Sequence, residues 1–390
     1  MQALPEARLV LEDGSTFKGV PFGRLRSSAG EVVFTTGMAG YPQSLTDPSF
    51  RGQILVSTYP LVGNYGVPVN PGTGRVDLDD RGIPFEFESD RVQVAGLVLS
   101  ELCERPSHFA SGSTLSAWLE TEGVPGIAGV DTRALTTILR ERGVLRGKIV
   151  IDKDIPIESG DLPHPVADVS PKSVRVYEAP VSASGSDRPL RIALMDCGVK
   201  ANILRCLVRR GVTVIRVPWN HDLSGIEHDG LFLSNGPGDP KTCAKTIATV
   251  RKALTRGKPI FGICLGNQIL ALAAGADTYK LPYGHRGQNQ PCVEAGTKRC
   301  LITSQNHGYA VKADTLPRGW EVWFTNGNDG TVEGIRSTRG PFRAVQYHPE
   351  GCPGPKDSEY LIDEFLDQVR ETLGGRPASN PERKVLEATA

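Results

Sequence analysis

The sequence lacks an excess of either charge, since 44 lysine and arginine side chains balance 44 aspartate and glutamate side chains. This balance excludes the basic footprint that nucleic acids or anionic membranes attract. No apolar run approaches the roughly 18 residues that cross a bilayer, and the first residues do not show the basic and then apolar pattern of a secretion signal. These absences predict a cytoplasmic protein without a nucleic-acid or membrane partner.

The sequence also lacks the cysteine spacing of a zinc site or of a redox motif. None of its eight cysteines forms a Cys-x-x-Cys pair, and a chain of this length does not need disulfides to hold a small core together. We therefore expect reduced thiols, most of them buried as small apolar side chains, and no metal site. At most one or two of these thiols should be chemically special.

Length and composition predict a folded chain of two or three domains. Hydrophobic residues make up 39% of the 390 residues and glycine adds 44 more, which excludes bulk disorder. Residues 1–151 mix β-rich runs with one helix and predict a smaller α+β domain. Residues 152–189 contain six prolines and predict an extended linker. Residues 374–390 predict a polar, frayed tail.

Two local signals place elements inside residues 1–151. Asp13-Gly14 lies between two alternating apolar runs and predicts a tight β-hairpin turn. Asp131 precedes a run with apolar residues on one helical face, and Gly143 follows it. The sequence therefore predicts a helix that is capped by Asp131 and ends at Gly143.

Residues 190–373 alternate between apolar strands and helices. Examples of the strands are residues 191–195, 231–234 and 259–263, each with a turn and a helical pattern after it. Such alternation predicts an α/β domain with a mostly parallel, doubly wound sheet that helices cover on both faces. Ligands of such sheets bind beyond the carboxyl ends of the strands.

The sharpest chemical signal is Gly262-Ile-Cys264-Leu-Gly266, between an apolar strand and a helix. This pattern is typical of a nucleophile elbow, here with a thiol, because glycines on both sides permit a strained turn. The elbow would present Cys264 at the sheet edge and at a helix N-terminus, which favours a thiolate. The alternative is a buried core cysteine that merely precedes a helix.

A cysteine nucleophile needs a base, and His348 follows a buried strand in Tyr347-His-Pro-Glu350. Residues two apart in extended chain share a face. Glu350 could therefore orient the imidazole of His348 and stabilise its charged form, completing a triad. His307 is a competing candidate for the base, and spacing does not choose between the two histidines.

The loop Asn235-Gly-Pro-Gly-Asp-Pro240 follows another predicted strand. It lacks the lysine and the length of a phosphate-binding loop. Its backbone, at Gly236, could instead form an oxyanion hole together with the N–H group of Leu265. These parts predict acyl transfer, in which Cys264 attacks an amide and water hydrolyses the thioester. They do not identify the substrate.

These motifs resemble those of the class I, triad-type glutamine amidotransferases. The flanking sequences are similar to one family among them, the small subunit of glutamine-dependent carbamoyl-phosphate synthetase. The resemblance extends from about residue 7 to residue 372 and includes the N-terminal half. The segments that carry it are Leu233–Pro240, Gly284–Asn289, Ser304–Tyr309 and His348–Pro355, and in the N-terminal half Gly30–Phe34, Gly40–Ser49, Tyr59–Asn64 and Asp131–Leu135.

The resemblance implies hydrolysis of L-glutamine to glutamate and ammonia through a thioester on Cys264. It implies a larger synthetase subunit, paired with this chain as a heterodimer, that receives the ammonia and makes carbamoyl phosphate for arginine and pyrimidine synthesis. ATP, Mg²⁺ and bicarbonate are expected on that subunit, and no cofactor on this chain. The positions that the resemblance assigns to glutamine binding are Ser49, Gly236, Gly238, Leu265, Gln268, Asn306, Gly308 and Tyr309.

Three departures from the family pattern lie outside the triad. Asn267 replaces a usual histidine, Gly351-Cys352 replaces a usual Ala-Ser, and Gln288 stands where glycine is common. Two other functions stay open at this point. One is a stand-alone cysteine hydrolase, such as a γ-glutamyl hydrolase, and the other is a non-catalytic scaffold that regulates a synthetase.

Overall fold

The computed structural model describes residues 6–160, 162–179 and 188–375. Its N-terminal part begins with the predicted hairpin, in which Gly14 has a positive φ of 89° and Val10 pairs with Thr16. The predicted helix is also confirmed, because the Asp131 carboxylate accepts the backbone N–H of Ala134 at 2.9 Å.

Strands dominate this part, in agreement with the β-rich domain that the sequence predicts. Seven of them close into a barrel with the order β1-β2-β8-β6-β4-β3-β9, while β5 and β7 form a separate pair. Alternate residues fill the barrel with apolar side chains. The strands are β1 (Ala7–Leu11), β2 (Thr16–Gly23), β3 (Ser28–Thr35), β4 (Ile54–Ser57), β5 (Leu61–Val62), β6 (Gly96–Val98), β7 (Glu101–Leu102), β8 (Pro125–Ala128) and β9 (Leu145–Val150).

The C-terminal part is built on one ten-stranded sheet with the order β10-β12-β11-β13-β14-β19-β18-β16-β15-β17. The five strands from β12 to β19 in this order run parallel, as predicted. The remaining strands are antiparallel, and the sequence analysis did not predict this extension. The strands are β10 (Arg175–Tyr177), β11 (Arg191–Asp196), β12 (Thr213–Pro218), β13 (Gly230–Leu233), β14 (Ile260–Ile263), β15 (Thr278–Glu294), β16 (Cys300–Val311), β17 (Trp320–Asn326), β18 (Val332–Ser337) and β19 (Phe342–Val345).

Helices cover both faces of the parallel strands because the strand side chains alternate between two apolar clusters. Ile192 and Leu194 of β11 pack with α5 and α8, whereas Ala193 and Met195 pack with α6 and α7. The helices are α1 (Tyr41–Thr46), α2 (Leu115–Thr121), α3 (Thr132–Arg142), α4 (Pro165–Val169), α5 (Ala201–Arg209), α6 (Ala244–Leu254), α7 (Leu265–Ala274) and α8 (Tyr360–Thr372), with 3₁₀ turns at Pro48–Phe50, Ile157–Gly160, Pro240–Thr242 and Ala313–Thr315.

The prediction of an extended linker over residues 152–189 needs correction. The segment contains the helix α4 and the strand β10, which pairs antiparallel with β12. Val166 and Tyr177 are buried against the C-terminal sheet. Burial of these apolar side chains stabilises folded structure in a segment whose prolines alone suggested an extended chain.

Two other predictions concern the C-terminal tail and the lack of membrane-spanning segments. Most of the predicted tail, residues 376–390, lies outside the described residues, and the domain bounds stay predictions. Among the helices of the described ranges, none combines the length and the apolar character that a bilayer crossing requires.

Candidate active site

Cys264 lies on the predicted elbow between β14 and α7. Its backbone has a φ of +55° and a ψ of −106°, a strained conformation for a residue with a side chain. A Cβ atom at Gly262 would lie 2.7 Å from the carbonyl carbon of Gly266, and one at Gly266 would lie 2.4 Å from the carbonyl oxygen of Leu233. Both glycines are therefore required by close backbone contacts.

Cys264 is 2% exposed and packs with buried apolar residues, but it also lines a cavity. The cavity measures about 690 Å³ including its open mouth. The thiol donates toward the backbone oxygen of Asn306 at 3.6 Å. Cys264 thus borders a space that a small molecule can enter.

His348 and Glu350 form a buried pair beside this thiol. Nδ1 of His348 lies 2.7 Å from Oε1 of Glu350. Burial has the largest single effect and lowers the pKa of His348, as does the charge of Lys200. The charge and the hydrogen bond of Glu350, together with the contact with Cys264, outweigh both and raise this pKa to about 10. Nε2 of His348 has no hydrogen-bond partner among the described residues.

Lys200 belongs to the same buried cluster and was missed by the sequence analysis. Its side chain is 3% exposed, and Nζ lies 3.1 Å from Oε1 of Glu350 and donates to the backbone oxygen of Gly351 at 2.7 Å. Burial favours the neutral form of Glu350, yet Lys200 and His348 lower its pKa to about 2. A lysine in the short turn between an apolar parallel strand and the next helix was the available signal.

Glu88 joins this cluster from the N-terminal part. It is fully buried and accepts a hydrogen bond from the Arg205 guanidinium at 2.8 Å and one from the backbone N–H of Asn202 at 3.1 Å. The side chain of Asn202 donates in turn to the backbone oxygen of Glu350 at 2.6 Å. A continuous set of buried charges and hydrogen bonds therefore connects the barrel to the base of the site.

His307, the competing candidate for the base, is held in a different cluster. Its Nδ1 lies 2.9 Å from the backbone oxygen of Tyr309, and its Nε2 lies 3.2 Å from Oε1 of Gln305. Burial lowers the pKa of His307. Its donor atoms, with those of His285 and Glu333, all lie within 4.8 Å of one another. These three side chains could hold a cation. Because His307 belongs to this cluster, His348 is the candidate base beside the Cys264 thiol.

The predicted glutamine contacts converge on the cavity, with one exception. Leu265 does not line it, although as the first residue of α7 its N–H group has no intrahelical acceptor. A Cβ atom at Gly236 would lie 2.2 Å from the backbone oxygen of Cys197, so this position also requires glycine. The predicted residues that line the cavity together with Cys264 are Ser49, Gly236, Gly238, Gln268, Asn306, Gly308 and Tyr309.

Ser49 reaches the cavity from the N-terminal part through a hydrogen-bonded bridge. Its Oγ accepts the side-chain N–H of Asn235 at 2.9 Å. Asp47 accepts the backbone N–H of Ser49 at 2.8 Å and the side-chain N–H of Asn306 at 2.9 Å. The two parts of the chain therefore build the cavity jointly.

The three departures from the family pattern do not line the cavity. Asn267 is fully buried and donates to the side chain of Gln346 at 3.2 Å. Gln288 donates to the backbone oxygen of Ala39 at 2.6 Å, across the two parts. Cys352 has a φ of +58° and follows Gly351, whose oxygen accepts from the buried lysine described above. None of them alters the triad.

Comparisons with known proteins agree with this arrangement. Residues 9–149 match the model of the carbamoyl-phosphate synthase small chain, CPSase domain, and residues 193–368 match that of the class-I glutamine amidotransferase. The chain is 45% identical over 393 residues to the arginine-specific small chain of carbamoyl phosphate synthase from Aspergillus clavatus, and the match covers 98% of this chain and 84% of that one. The chain belongs to the carbamoyl phosphate synthase small-chain family.

Other members of the family are parts of much longer proteins. The chain is 48% identical to the multifunctional protein pyr-3 of Neurospora crassa, over 93% of this chain and 21% of that protein. It is also 48% identical to the multifunctional protein CAD of Squalus acanthias, over 95% of this chain and 16% of that protein. The chain thus spans about a fifth or less of the length of these relatives.

Proposed function

We propose that this chain hydrolyses L-glutamine to glutamate and ammonia and supplies the ammonia for carbamoyl phosphate synthesis. The observation that carries the proposal is Cys264 on a strained elbow, lining a cavity beside the buried pair of His348 and Glu350. The small-chain family to which the chain belongs supports the same substrate.

The first half of the reaction forms the thioester. In the first step the proton of the Cys264 thiol passes to His348, whose charged form Glu350 stabilises. The thiolate attacks the side-chain amide carbon of glutamine, and the N–H groups of Gly236 and Leu265 stabilise the oxyanion. His348 then protonates the leaving nitrogen, which departs as ammonia.

The second half releases glutamate. Neutral His348 takes a proton from water, the water oxygen attacks the thioester carbon, and the carbon–sulfur bond breaks. Glu350 orients the imidazole through its 2.7 Å contact with Nδ1 and stabilises the charged form. Lys200 keeps Glu350 ionised throughout, because its ammonium lies 3.1 Å away.

The proposal includes a partner. We propose a heterodimer with a larger synthetase subunit that binds ATP, Mg²⁺ and bicarbonate and receives the ammonia in the cytoplasm. The small-chain name of a relative of which this chain covers 84% supports a separate subunit. In the multifunctional relatives, the matched region is instead one part of a longer chain. We propose that the carbamoyl phosphate is used for arginine or pyrimidine synthesis.

The test is a Cys264→Ser variant assembled with the synthetase subunit. We expect glutamine-dependent carbamoyl phosphate synthesis to fall by about a thousandfold or more, because a serine hydroxyl is a far weaker acid than a thiol and does not give up its proton to the imidazole before attack. Synthesis from added ammonia should stay near the wild-type rate, which also shows that the complex is folded.

Two outcomes contradict the proposal. Unchanged glutamine-dependent turnover in Cys264→Ser would mean that the thiol is not the nucleophile, as in a regulatory scaffold. A wild-type chain that neither binds the synthetase subunit nor gains activity from it would indicate the stand-alone cysteine hydrolase.

A further inference from the structure

Three buried side chains from three neighbouring strands converge beside the cavity. They are His285 on β15, His307 on β16 and Glu333 on β18, and their donor atoms all lie within 4.8 Å of one another. Both imidazoles face the same carboxylate oxygen. Oε1 of Glu333 lies 3.3 Å from Nδ1 of His285 and 3.7 Å from Nε2 of His307. Neither the triad nor the predicted glutamine contacts include these three residues.

The separations between these atoms are long for charged hydrogen bonds and suit a bound metal ion. A hydrogen bond between a charged nitrogen and a carboxylate is usually about 2.7–2.9 Å long. Around a tetrahedral Zn²⁺ ion with bonds of about 2.1 Å, neighbouring ligand atoms lie about 3.4 Å apart. The two nitrogens and the carboxylate oxygen are therefore spaced as ligands of one cation.

Each imidazole is oriented by a hydrogen-bond acceptor at its other nitrogen. Nε2 of His285 lies 2.8 Å from Oδ2 of Asp329, and Nδ1 of His307 lies 2.9 Å from the backbone oxygen of Tyr309. A neutral imidazole has a single N–H group. If these acceptors take it, the nitrogen that faces the shared carboxylate presents a lone pair. Proteins commonly orient histidine ligands of a metal through such outer contacts.

Oxygen atoms around the two histidines complete a set of ligands. Oε1 of Glu333 accepts the side-chain N–H of Asn326 at 3.3 Å, whereas Oε2 is buried without a partner in the described ranges. Oε1 of Gln305, which is 2% exposed, lies 3.2 Å from Nε2 of His307. Two lone pairs face each other there when Nδ1 carries the proton, and a cation between them removes the repulsion.

We propose that His285, His307 and Glu333 bind one Zn²⁺ ion, with Gln305 as the fourth ligand. Two imidazoles and a carboxylate favour Zn²⁺ over Mg²⁺ and Ca²⁺, which prefer oxygen ligands. His307 lines the cavity, and the cavity provides a path for the ion. The sequence analysis expected no metal site because it searched cysteine spacings, whereas these ligands lie on three strands and as far as 48 residues apart.

The site is structural, because all four ligands come from the protein and no position is left for a substrate. The ion joins β15, β16 and β18. It thereby fixes His307 between Asn306 and Gly308, which both line the cavity. The inference does not depend on the proposed function, since metal binding and unfolding are measured without glutamine.

The first test measures Zn²⁺ affinity by competition with a chromophoric chelator. All chains carry Cys264→Ser, so that this thiol cannot bind the ion. Asp329→Asn should weaken Zn²⁺ binding by about tenfold to a hundredfold, as for the loss of an outer contact to a histidine ligand. Its side chain is 42% exposed, so the substitution should leave the core folded. Glu333→Gln removes a ligand and should weaken binding further.

Asp314→Asn is the matched control for Asp329→Asn. The side chain of Asp314 is 73% exposed, and its carboxylate lies 3.9 Å from Nζ of Lys312. The same change of aspartate to asparagine at this position should leave Zn²⁺ affinity unchanged. Metal analysis after dialysis should find one Zn²⁺ ion per control chain, and added Mg²⁺ should not displace it.

Unfolding in urea provides a second measurement. An ion that binds only the folded chain stabilises it, and the effect grows with the concentration of free ion. The urea midpoint of the control chain should therefore rise with added Zn²⁺ and not with Mg²⁺. In Asp329→Asn the same rise should require about tenfold to a hundredfold more Zn²⁺.

Two results would overturn the inference. Equal Zn²⁺ affinity in Asp329→Asn and Asp314→Asn would mean that the ion binds elsewhere, for example at another thiol. A folded control chain that binds no Zn²⁺ would leave His285, His307 and Glu333 as a hydrogen-bonded cluster without a metal.

Discussion

At the scale of single residues, the site depends on charges that are buried in opposite pairs. Lys200 lies between Glu350 and Glu88, and both carboxylates raise its pKa against the effect of burial. A lysine that is 3% exposed at its side chain is stable here only because its charge is compensated. The Glu350 carboxylate thus keeps its charge because of Lys200, which does not line the cavity.

We expect Lys200→Met to destabilise the protein by about 3–5 kcal/mol, since it leaves a buried carboxylate without its partner. The free energy of unfolding in urea measures this effect. Lys241→Met is the control, because Lys241 and Asp277 form an ion pair in which both side chains are 50% exposed, and it should lose at most about 1 kcal/mol. Equal losses in the two variants would contradict the prediction.

At the scale of elements, the turn from β14 to α7 determines where the thiol points. The turn is closed on one side by β13, whose Leu233 oxygen would lie 2.4 Å from a Cβ atom at Gly266. Because that oxygen belongs to the backbone of a central parallel strand, it cannot move without disturbing the sheet. The strand and the helix therefore constrain the elbow from both ends.

Gly266→Ala should displace the start of α7 and with it Cys264. We expect a loss of roughly 1–3 kcal/mol in stability from overpacking and a fall in glutamine turnover of about a hundredfold, as a 1 Å misplacement of a reacting group produces. Steady-state kinetics and urea unfolding give the two values.

Gly225→Ala is the matched control for this substitution. A Cβ atom at Gly225 would meet nothing within 4 Å, and its φ is not positive. Its activity and stability should stay close to wild type. If Gly266→Ala were as active as Gly225→Ala, the close contact with Leu233 would not determine the position of the thiol.

At the scale of the whole molecule, neither part of the chain contains a complete site. Cys264, His348 and Asn306 come from the C-terminal sheet, whereas Ser49 and the Asp47 carboxylate that holds Asn306 come from the barrel side. A rearrangement between the two parts would therefore change glutamine binding without touching the triad.

Asp47→Ala tests this dependence. It removes the acceptor for the side chain of Asn306 and for the backbone N–H of Ser49. Each is a hydrogen bond to a charged group, so the KM for glutamine should rise about tenfold or more, while alkylation of free Cys264 by iodoacetamide continues at the wild-type rate. Asp77→Ala, at an exposed position whose carboxylate is bound by Asn70, is the control, and an equal KM in both variants would rule out the bridge.

Local signals in the sequence determined the reactive parts of the site. The glycines around Cys264, the two-residue spacing of His348 and Glu350, and the cap at Asp131 act over a few residues. Their geometry follows from backbone sterics and from the alternation of extended chain. The sequence pattern therefore predicted an elbow, a base with a carboxylate, and a parallel sheet without knowledge of what surrounds them.

The tertiary structure decided what depends on distant neighbours. It separated His348 from His307, because the second imidazole is held by Tyr309 and Gln305. It also brought Lys200 to Glu350 across 150 residues of chain. The charge state and the role of a buried group depend on which groups surround it, and only the folding of the two parts against each other brings those groups together.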